Sequence, residues 1–115
     1  MNILVNSFSQ EAASKTKGLI LKNILEDNLE HLDSITVDFS NINRFASPFF
    51  NNSFAALALK YGFNKIKNIK LTNISSIGLE TYDTSMENAS MLSANPAFAD
   101  EVTKIIQITP KNTEE

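Results

Sequence analysis

A change from strand-like to helix-like sequence occurs in the segment Val37-Asp38-Phe39-Ser40-Asn41-Ile42-Asn43-Arg44-Phe45-Ala46-Ser47-Pro48-Phe49-Phe50. Residues 35–39 alternate between apolar and polar side chains and include several β-branched residues, which predicts a central strand that ends near Asp38. Residues 40–44 predict a loop. Ser47 followed by Pro48 predicts the start of a helix, because the serine oxygen can accept a hydrogen bond from a free amide and proline is tolerated at the first helical position.

Upstream of this segment, the sequence predicts one strand and one long helix. Residues 3–5 form a short apolar run that is typical of a strand buried on both faces. The helix is predicted to begin at Ser14 or Thr16, either of which is a good N-cap. Gly18 either allows close packing or marks a later start of this helix. Apolar residues then recur at three- and four-residue spacing, at Leu21, Ile24, Leu25 and Leu32.

Downstream of the segment, the helix that opens at Pro48 is predicted to run towards Tyr61. Gly62 is suited to end it, because glycine adopts a left-handed conformation without steric cost. Residues 65–72 then predict a strand.

Two more helices are predicted before the chain ends. One begins at Ser75 or Ser76 and runs to about residue 92. The other begins at Asn95-Pro96, a second helix-start signal, and carries the apolar residues Phe98, Val102, Ile105 and Ile106.

This order of strands and helices predicts an α/β fold. We expect a small mixed or mainly parallel sheet that is packed with helices and joined by right-handed crossovers. With 115 residues, of which 43% are hydrophobic, the chain has room for one core. We assign residues 1–108 to a single domain and residues 109–115, which are polar, to a flexible C-terminal tail.

The charge balance argues against a nucleic-acid or membrane partner. Ten Lys plus Arg residues and thirteen Asp plus Glu residues give a net charge of −3, so no overall positive field attracts phosphates. No segment approaches the roughly 20 apolar residues of a membrane span. Because the chain has no cysteine, it fits a reducing compartment, and we expect a cytoplasmic location. One local group of lysines is interpreted as solvated or edge-protecting: Lys60, Lys65, Lys67 and Lys70.

Residues for catalysis or metal binding are scarce. His31 is the single histidine of the chain, and three glycines are too few for a phosphate-binding loop. Glu80, Asp83 and Glu87 share one side of a predicted helix, where they either contact solvent or meet a cation or a basic partner. We therefore expect no enzymatic activity, no metal and no cofactor.

The segment at residues 37–50 resembles the central motif of STAS domains, the fold of bacterial anti-sigma-factor antagonists. It is most similar to their STAS-like relatives of unassigned function. In that family a strand ends in an aspartate followed by a hydrophobic residue, and a serine opens the next helix after a short loop. Asp38, Phe39 and Ser47 match these parts, and the similarity extends more loosely over residues 16–92.

The resemblance implies a role in partner switching. In that mechanism an unphosphorylated antagonist binds a serine kinase that also acts as an anti-sigma factor, and phosphorylation of the helix-opening serine releases it. Ser47 matches that serine and is the candidate phosphoacceptor. The motif has an aspartate where this chain has Ala46, and a small polar residue and a glycine where it has Pro48 and Phe49.

Five residues around this corner are candidate partner-binding residues: Asp38, Arg44, Ser47, Phe49 and Phe50. For Asp38 we favour hydrogen bonds to the following loop amides. Arg44 either binds an acidic group of a partner or pairs with Asp38. Ser47 either only caps its helix or also accepts a phosphate. Successive helical residues diverge by about 100°, so the two phenylalanines cannot both point into the core from one face of the helix. Either one of them is exposed as an interface anchor or, as we favour, Phe49 covers the loop and both are mostly buried.

The expected function is a non-enzymatic protein–protein interaction module in bacterial signalling. Its protein partner would be a histidine-kinase-type ATPase or an anti-sigma factor, as the resemblance implies. An alternative is a small-ligand or nucleotide-binding domain with an anion site at the Ser47 helix N-terminus. A third is a homo-oligomer joined through an exposed phenylalanine or an open sheet edge.

Overall fold

A computed structural model describes residues 1–94 and confirms the predicted α/β fold. Its sheet has three parallel strands in the order β1 (Asn2–Leu4), β2 (Thr36–Asp38) and β3 (Lys70–Thr72). Ile3, Val37 and Leu71 lie side by side in the register of the sheet. The helix predicted from Asn95, the predicted domain end at residue 108 and the predicted tail at 109–115 lie outside the described residues.

Within residues 1–94 the chain forms five α-helices and two 3₁₀ segments. The α-helices are α1 (Lys15–Glu26), α2 (Ser47–Asn51), α3 (Phe54–Tyr61), α4 (Phe63–Lys67) and α5 (Ser76–Ala94). The 3₁₀ segments are Val5–Ser7 and Leu29–Ser34.

The sheet buries mainly one face. Val37 in β2 and the flanking residues Ile35 and Phe39 are fully buried, whereas Thr36 and Asp38 between them are partly exposed. The prediction that the first strand is buried on both faces is wrong, because Leu4 is 41% exposed and Val5 already belongs to a 3₁₀ turn.

Helix α1 begins at the predicted position, since the Ser14 side chain accepts a hydrogen bond from the Lys17 amide. It ends at Glu26, earlier than the apolar pattern through Leu32 predicted, and the chain continues as a 3₁₀ segment. Gly18 does allow close packing: a β-carbon at this position would overlap the carbonyl oxygen of Phe49. Helices α1 and α2 therefore approach each other at backbone distance.

The single helix predicted from Pro48 to Tyr61 is interrupted at residues 52–53. The Asn52 side chain donates to the Pro48 carbonyl (2.7 Å) and the Ser53 hydroxyl donates to the Phe49 carbonyl (2.8 Å). The Pro48 carbonyl also keeps its helical bond from the Asn52 amide (3.1 Å), but the Ser53 hydroxyl takes the Phe49 carbonyl while the Ser53 amide bonds to the Phe50 carbonyl (3.3 Å). This break in the helical pattern separates α2 from α3. Gly62, with φ of +104°, ends α3 as predicted.

The strand predicted at residues 65–72 is wrong in its first half, which belongs to α4. Ile66 and Ile69 are buried at a three-residue spacing, which a helical turn directs to one side. Only the last three residues of the predicted strand, Lys70–Thr72, pair with β2.

Helix α5 begins as predicted, because the Ser75 hydroxyl accepts a hydrogen bond from the Gly78 amide at 3.1 Å. It packs along α2 and α3, where Tyr82 contacts the rings of Phe50 and Phe54 with centroid separations of 5.9 and 5.3 Å. The buried Ser85 hydroxyl also donates to the Asn51 side chain. Helix α5 thus closes the aromatic part of the core.

Candidate functional site

The three segments that follow the strands meet at one edge of the sheet, because the strands are parallel. We call residues 5–14, 39–46 and 73–75 the carboxyl-edge loops. The first two are joined by backbone hydrogen bonds, from the Ala12 amide to the Arg44 carbonyl (2.9 Å) and from the Ala46 amide to the Ala12 carbonyl (3.0 Å). The Asn6 side chain adds a bond to the Ser40 carbonyl (3.0 Å). The loop at residues 39–46, which precedes Ser47, is therefore held in place by the loop at residues 5–14.

Asp38 organises the loops on both sides of β2. One of its carboxylate oxygens accepts hydrogen bonds from the Ser40 hydroxyl (2.6 Å), the Ser40 amide (2.9 Å) and the Asn73 side chain (3.0 Å). The Ser40 hydroxyl contributes most, and the Asn73 amide next, to holding the pKa of Asp38 below its ordinary value. Asp38 therefore accepts a hydrogen bond from the amide of the following loop, as we favoured from the sequence. The carboxylate oxygen that makes these contacts is occupied by other residues of the domain.

Sequence reasoning missed Asn73, which has no motif of its own. Both Asn73 and Asn41 adopt positive φ angles, of 54° and 64°. Asparagine tolerates this left-handed conformation better than most residues, and that preference is the signal that was available.

Ser47 is exposed, but it is not the N-cap of its helix. The N-cap is Ala46, whose extended backbone remains bonded to Ala12 while its carbonyl accepts from the Phe49 amide (3.2 Å). The prediction that the serine oxygen caps the helix is therefore wrong, because Ser47 is already the first helical residue. Within residues 1–94 no hydrogen bond involves its hydroxyl.

The anion site considered at this helix N-terminus has few donors. Helix α2 has only five residues, and Pro48 in its first turn has no amide hydrogen. The Phe49 amide is occupied by the Ala46 carbonyl. Phosphate sites at helix N-termini use several free backbone amides as hydrogen-bond donors. This short helix offers few of them, because one amide is absent and another is already hydrogen-bonded.

Arg44 does not pair with Asp38, so that alternative is wrong. Its guanidinium lies 3.5 Å from the Glu11 carboxylate, and the Arg44 side chain remains 72% exposed. The hydrogen bond from the Ala12 amide to the Arg44 carbonyl places the preceding residue, Glu11, beside Arg44. This explains why Arg44 pairs with Glu11 and not with Asp38. An exposed pair of this kind contributes at most about 1 kcal/mol, so Arg44 remains accessible to an acidic partner group.

Phe49 and Phe50 are both fully buried, which confirms the favoured alternative that both are mostly buried and contradicts the alternative of an exposed interface anchor. Helix α2 contacts both α1 and α5, so two side chains that diverge on it can both be covered. The Phe49 ring packs edge-on against Phe39, and Phe50 contacts Tyr82. In this fold neither phenylalanine can contact a partner, which leaves a polar surface formed by exposed residues 41, 43, 44 and 47.

Residues 1–94 show few other features that suggest a ligand or membrane site. An open, mostly polar depression of about 650 Å³ is formed by residues 6–11 with Ser14 and Lys17. Residues 1–94 contain no group of three His, Cys, Asp or Glu side chains arranged for a metal ion. No helix in this part of the chain combines the length and apolarity needed to cross a membrane.

Comparison with protein families identifies the domain. A family model described as a STAS-like domain of unknown function (DUF4325) matches residues 18–79, more than half of the 115-residue chain. The chain belongs to this STAS-like family. Comparisons with curated proteins and with solved structures find no match.

The matched part of this STAS-like domain contains the residues that organise the site. It begins at Gly18, which packs against Phe49, and includes the hydrogen-bonded residues Asp38 and Asn73. Ser47 lies within it as well. The resemblance seen at residues 37–50 is therefore confirmed at the level of the family.

Proposed function

We propose that this STAS-like domain is a non-enzymatic protein-interaction module that binds a protein partner through the surface around Ser47. The observation that carries the proposal is the exposed Ser47 hydroxyl, which has no hydrogen-bond partner within residues 1–94. Arg44, Asn41 and Asn43 are exposed beside it in sequence. This surface is polar and is fixed by backbone pairing with Ala12.

The burial of Phe49 and Phe50 supports a switch that changes binding without changing the fold. A phosphate on Ser47 would add about −1.5 to −2 charges at the protein surface. Phe49 and Phe50, two and three residues later, are fully buried, whereas Ser47 is exposed, so the added group contacts solvent or a partner. A bound partner would have to accommodate a large hydrated anion, which weakens the complex.

The resemblance to anti-sigma-factor antagonists supplies the proposed partner class. We assign the domain to bacterial signalling in the cytoplasm, with a histidine-kinase-type ATPase or an anti-sigma factor as partner. Ala46 and Pro48 differ from the antagonist motif that surrounds the phosphorylated serine. The proposed binding through the surface around Ser47 therefore does not require that a kinase phosphorylates Ser47. The small-ligand alternative has less support, because α2 provides few free amides.

Titration calorimetry with the histidine-kinase-type ATPase encoded nearest to this chain tests the proposal. We expect wild type and Ser47→Ala to bind, and Ser47→Glu to bind at least about ten-fold more weakly because a charge enters the interface. Ser34→Glu, at an exposed serine just before β2 and therefore at the opposite edge of the sheet from the carboxyl-edge loops, is the matched control and should bind as wild type does. Equal affinities of Ser47→Glu and wild type would remove the proposal, as would binding of a nucleotide but no protein.

A further inference from the structure

The first turn of α5 carries an exposed isoleucine. Ile77 is 67% exposed, more than any other large apolar side chain within residues 1–94. The next residue, Gly78, is buried against two of the carboxyl-edge loops. A β-carbon at Gly78 would lie 2.7 Å from the ring of Phe45 and 2.7 Å from the Ile74 side chain. Ile77 therefore lies at the edge of the sheet where these loops meet.

Ser47 projects towards the same part of the molecule. Phe45 and Ser47 flank Ala46, whose backbone is extended with φ of −148° and ψ of 151°. Alternate residues of an extended segment project to the same side. Ser47 therefore lies on the side of Phe45, where Gly78 of α5 packs.

A hydrogen bond between α2 and α5 supports this placement. The Ser85 hydroxyl of α5 donates to the Asn51 side chain of α2. Ser47 precedes Asn51 by four residues, and Ile77 precedes Ser85 by eight. Such multiples of four keep each pair along one side of its helix. Ile77 and Ser47 therefore stand near the starts of two neighbouring rows.

The surroundings of Ile77 are electrically balanced. The carboxyl-edge loops contain two charged side chains, Glu11 and Arg44, and these two pair with each other at 3.5 Å. Residues 73–79 contain no charged side chain. An uncharged apolar group can therefore cover Ile77 without burying an unpaired charge.

We propose that Ile77 is the apolar anchor of the partner surface around Ser47, and that it contacts an uncharged apolar side chain of the protein partner. Because this partner is the one proposed above, the assignment rests on the proposed function. Protein interfaces commonly combine an apolar centre with a polar rim, which Ile77 and the exposed residues near Ser47 would provide. A phosphate at Ser47 would then place a charge beside a dry apolar contact, where its loss of hydration opposes binding.

The small size of the apolar area favours a reversibly binding partner over a permanent dimer. Of residues 73–78, Ile77 is the one exposed large apolar side chain, and the neighbouring Ile74 and Phe45 are half-buried. Permanent homodimer interfaces bury roughly 2,000 Å² or more in total and are more apolar than transient ones. Asn41 and Asn43, exposed in the adjacent loop, are polar. A second copy of the chain is therefore less well matched to this surface than a separate protein.

The absence of cysteine from the chain allows the contact to be measured by thiol labelling of the full-length variant Ile77→Cys. We expect fast labelling of the free chain at every protein concentration, because an exposed thiol is accessible. A saturating amount of the histidine-kinase-type ATPase encoded nearest to this chain should slow labelling at least about ten-fold, as read from the mass of the chain. Leu79→Cys is the matched control, since Leu79 is 43% exposed and lies with Glu80 and Asp83 along another side of α5. Its labelling rate should not change.

Affinities of serine variants provide a second measurement. Ile77→Ser should weaken the complex with the same ATPase about five- to ten-fold, as expected when an interface anchor is truncated. Leu79→Ser should bind as wild type does. Both substitutions lie at the surface, so the urea midpoints of the two variants should stay close to that of wild type.

The outcomes separate the anchor from the proposed function. If Ser47→Glu weakens the complex while Ile77→Ser binds normally and Ile77→Cys stays reactive, the partner uses the Ser47 surface without this anchor and the assignment is overturned. If the ATPase does not bind, or Ser47→Glu and Ile77→Ser both bind as wild type does, the proposed function fails together with the anchor.

The free chain identifies other occupants of the Ile77 position. Slow labelling of Ile77→Cys at every protein concentration would mean that another segment of this chain covers the position. Labelling that slows as the protein concentration rises would identify a second copy as the occupant. Equal weakening by Ile77→Ser and Leu79→Ser would show general adhesion of apolar groups. Each of these results would overturn the assignment.

Discussion

The side-chain amide of Asn73 lies 3.0 Å from a carboxylate oxygen of Asp38, and this contact joins the chain after β3 to the end of β2. The same oxygen accepts two hydrogen bonds from Ser40 at the start of the next loop. One carboxylate therefore holds two of the three carboxyl-edge loops.

Asp38→Asn should lower the free energy of unfolding at neutral pH and make it depend less on pH in the acidic range. Hydrogen bonds from Ser40 and then Asn73 hold the pKa of Asp38 below its ordinary value of 3.8. A lowered pKa in the folded state gives stabilisation that is present above the ordinary pKa and is lost as the pH falls through the folded-state pKa. In urea unfolding, the difference between wild type and variant should shrink below about pH 4.

The control for this prediction is Asp33→Asn, at an exposed aspartate of the 3₁₀ segment before β2. It should leave the urea midpoint close to that of wild type, as most surface substitutions do. A difference between Asp38→Asn and wild type that stays constant down to the lowest pH would show that Asp38 does not act through its charged form.

Gly18→Ala should destabilise the fold although alanine favours a helix by about 1 kcal/mol over glycine. The new methyl group would overlap the Phe49 carbonyl oxygen, and backbone cannot move aside as a flexible side chain does. Overpacking of this kind costs about 1–3 kcal/mol. Chemical unfolding measures the loss, and Thr16→Ala, at an exposed position of the same helix, is the control. A more stable Gly18→Ala variant would mean that α1 and α2 are not in close contact.

Phe50→Leu should reduce stability by about 1–3 kcal/mol and leave partner binding intact. Phe50 is fully buried and contacts the rings of Phe39, Phe45, Phe49, Phe54 and Tyr82. Binding should be measured at a temperature where the variant remains folded. A normally stable variant that loses binding would place Phe50 in the interface, contrary to its burial.

Tyr82→Phe should improve stability in alkali relative to wild type. Burial, followed by the nearby charge of Asp83, raises the pKa of Tyr82 above its ordinary value of 10.0. The neutral tyrosine stabilises the fold below that value, and this contribution is lost as the pH rises through the folded-state pKa. Urea midpoints from about pH 8 to about pH 11 should therefore fall less for the variant. Parallel curves for the two proteins would contradict this account.

Local signals explain which parts of the fold the sequence predicted. The start of α1 at Ser14 and of α5 after Ser75 depends on a serine oxygen and an amide a few residues away, so the sequence contains both partners. Strand β2 was likewise evident from its own alternation. The motif at residues 37–50 also indicated the STAS-like family, and the family model confirms this over residues 18–79.

Features that depend on distant contacts were not predictable in the same way. Phe49 and Phe50 are both buried on a helix that contacts both α1 and α5, and other elements separate each of these helices from α2 in the sequence. Ser47 lost its capping role because Ala46 pairs with Ala12, 34 residues earlier in the numbering of the chain. The Asp38 to Asn73 contact spans a similar separation of 35 residues.

The most direct test of the central claim compares the chain carrying phosphoserine at position 47, introduced during translation, with the unmodified chain. The measured quantities are the dissociation constant for the histidine-kinase-type ATPase and the midpoint of urea unfolding. We predict at least about a ten-fold weaker complex with an unchanged midpoint, because the modified hydroxyl lies at the surface above a buried core. Equal dissociation constants, or a loss of binding that accompanies unfolding, would contradict the account.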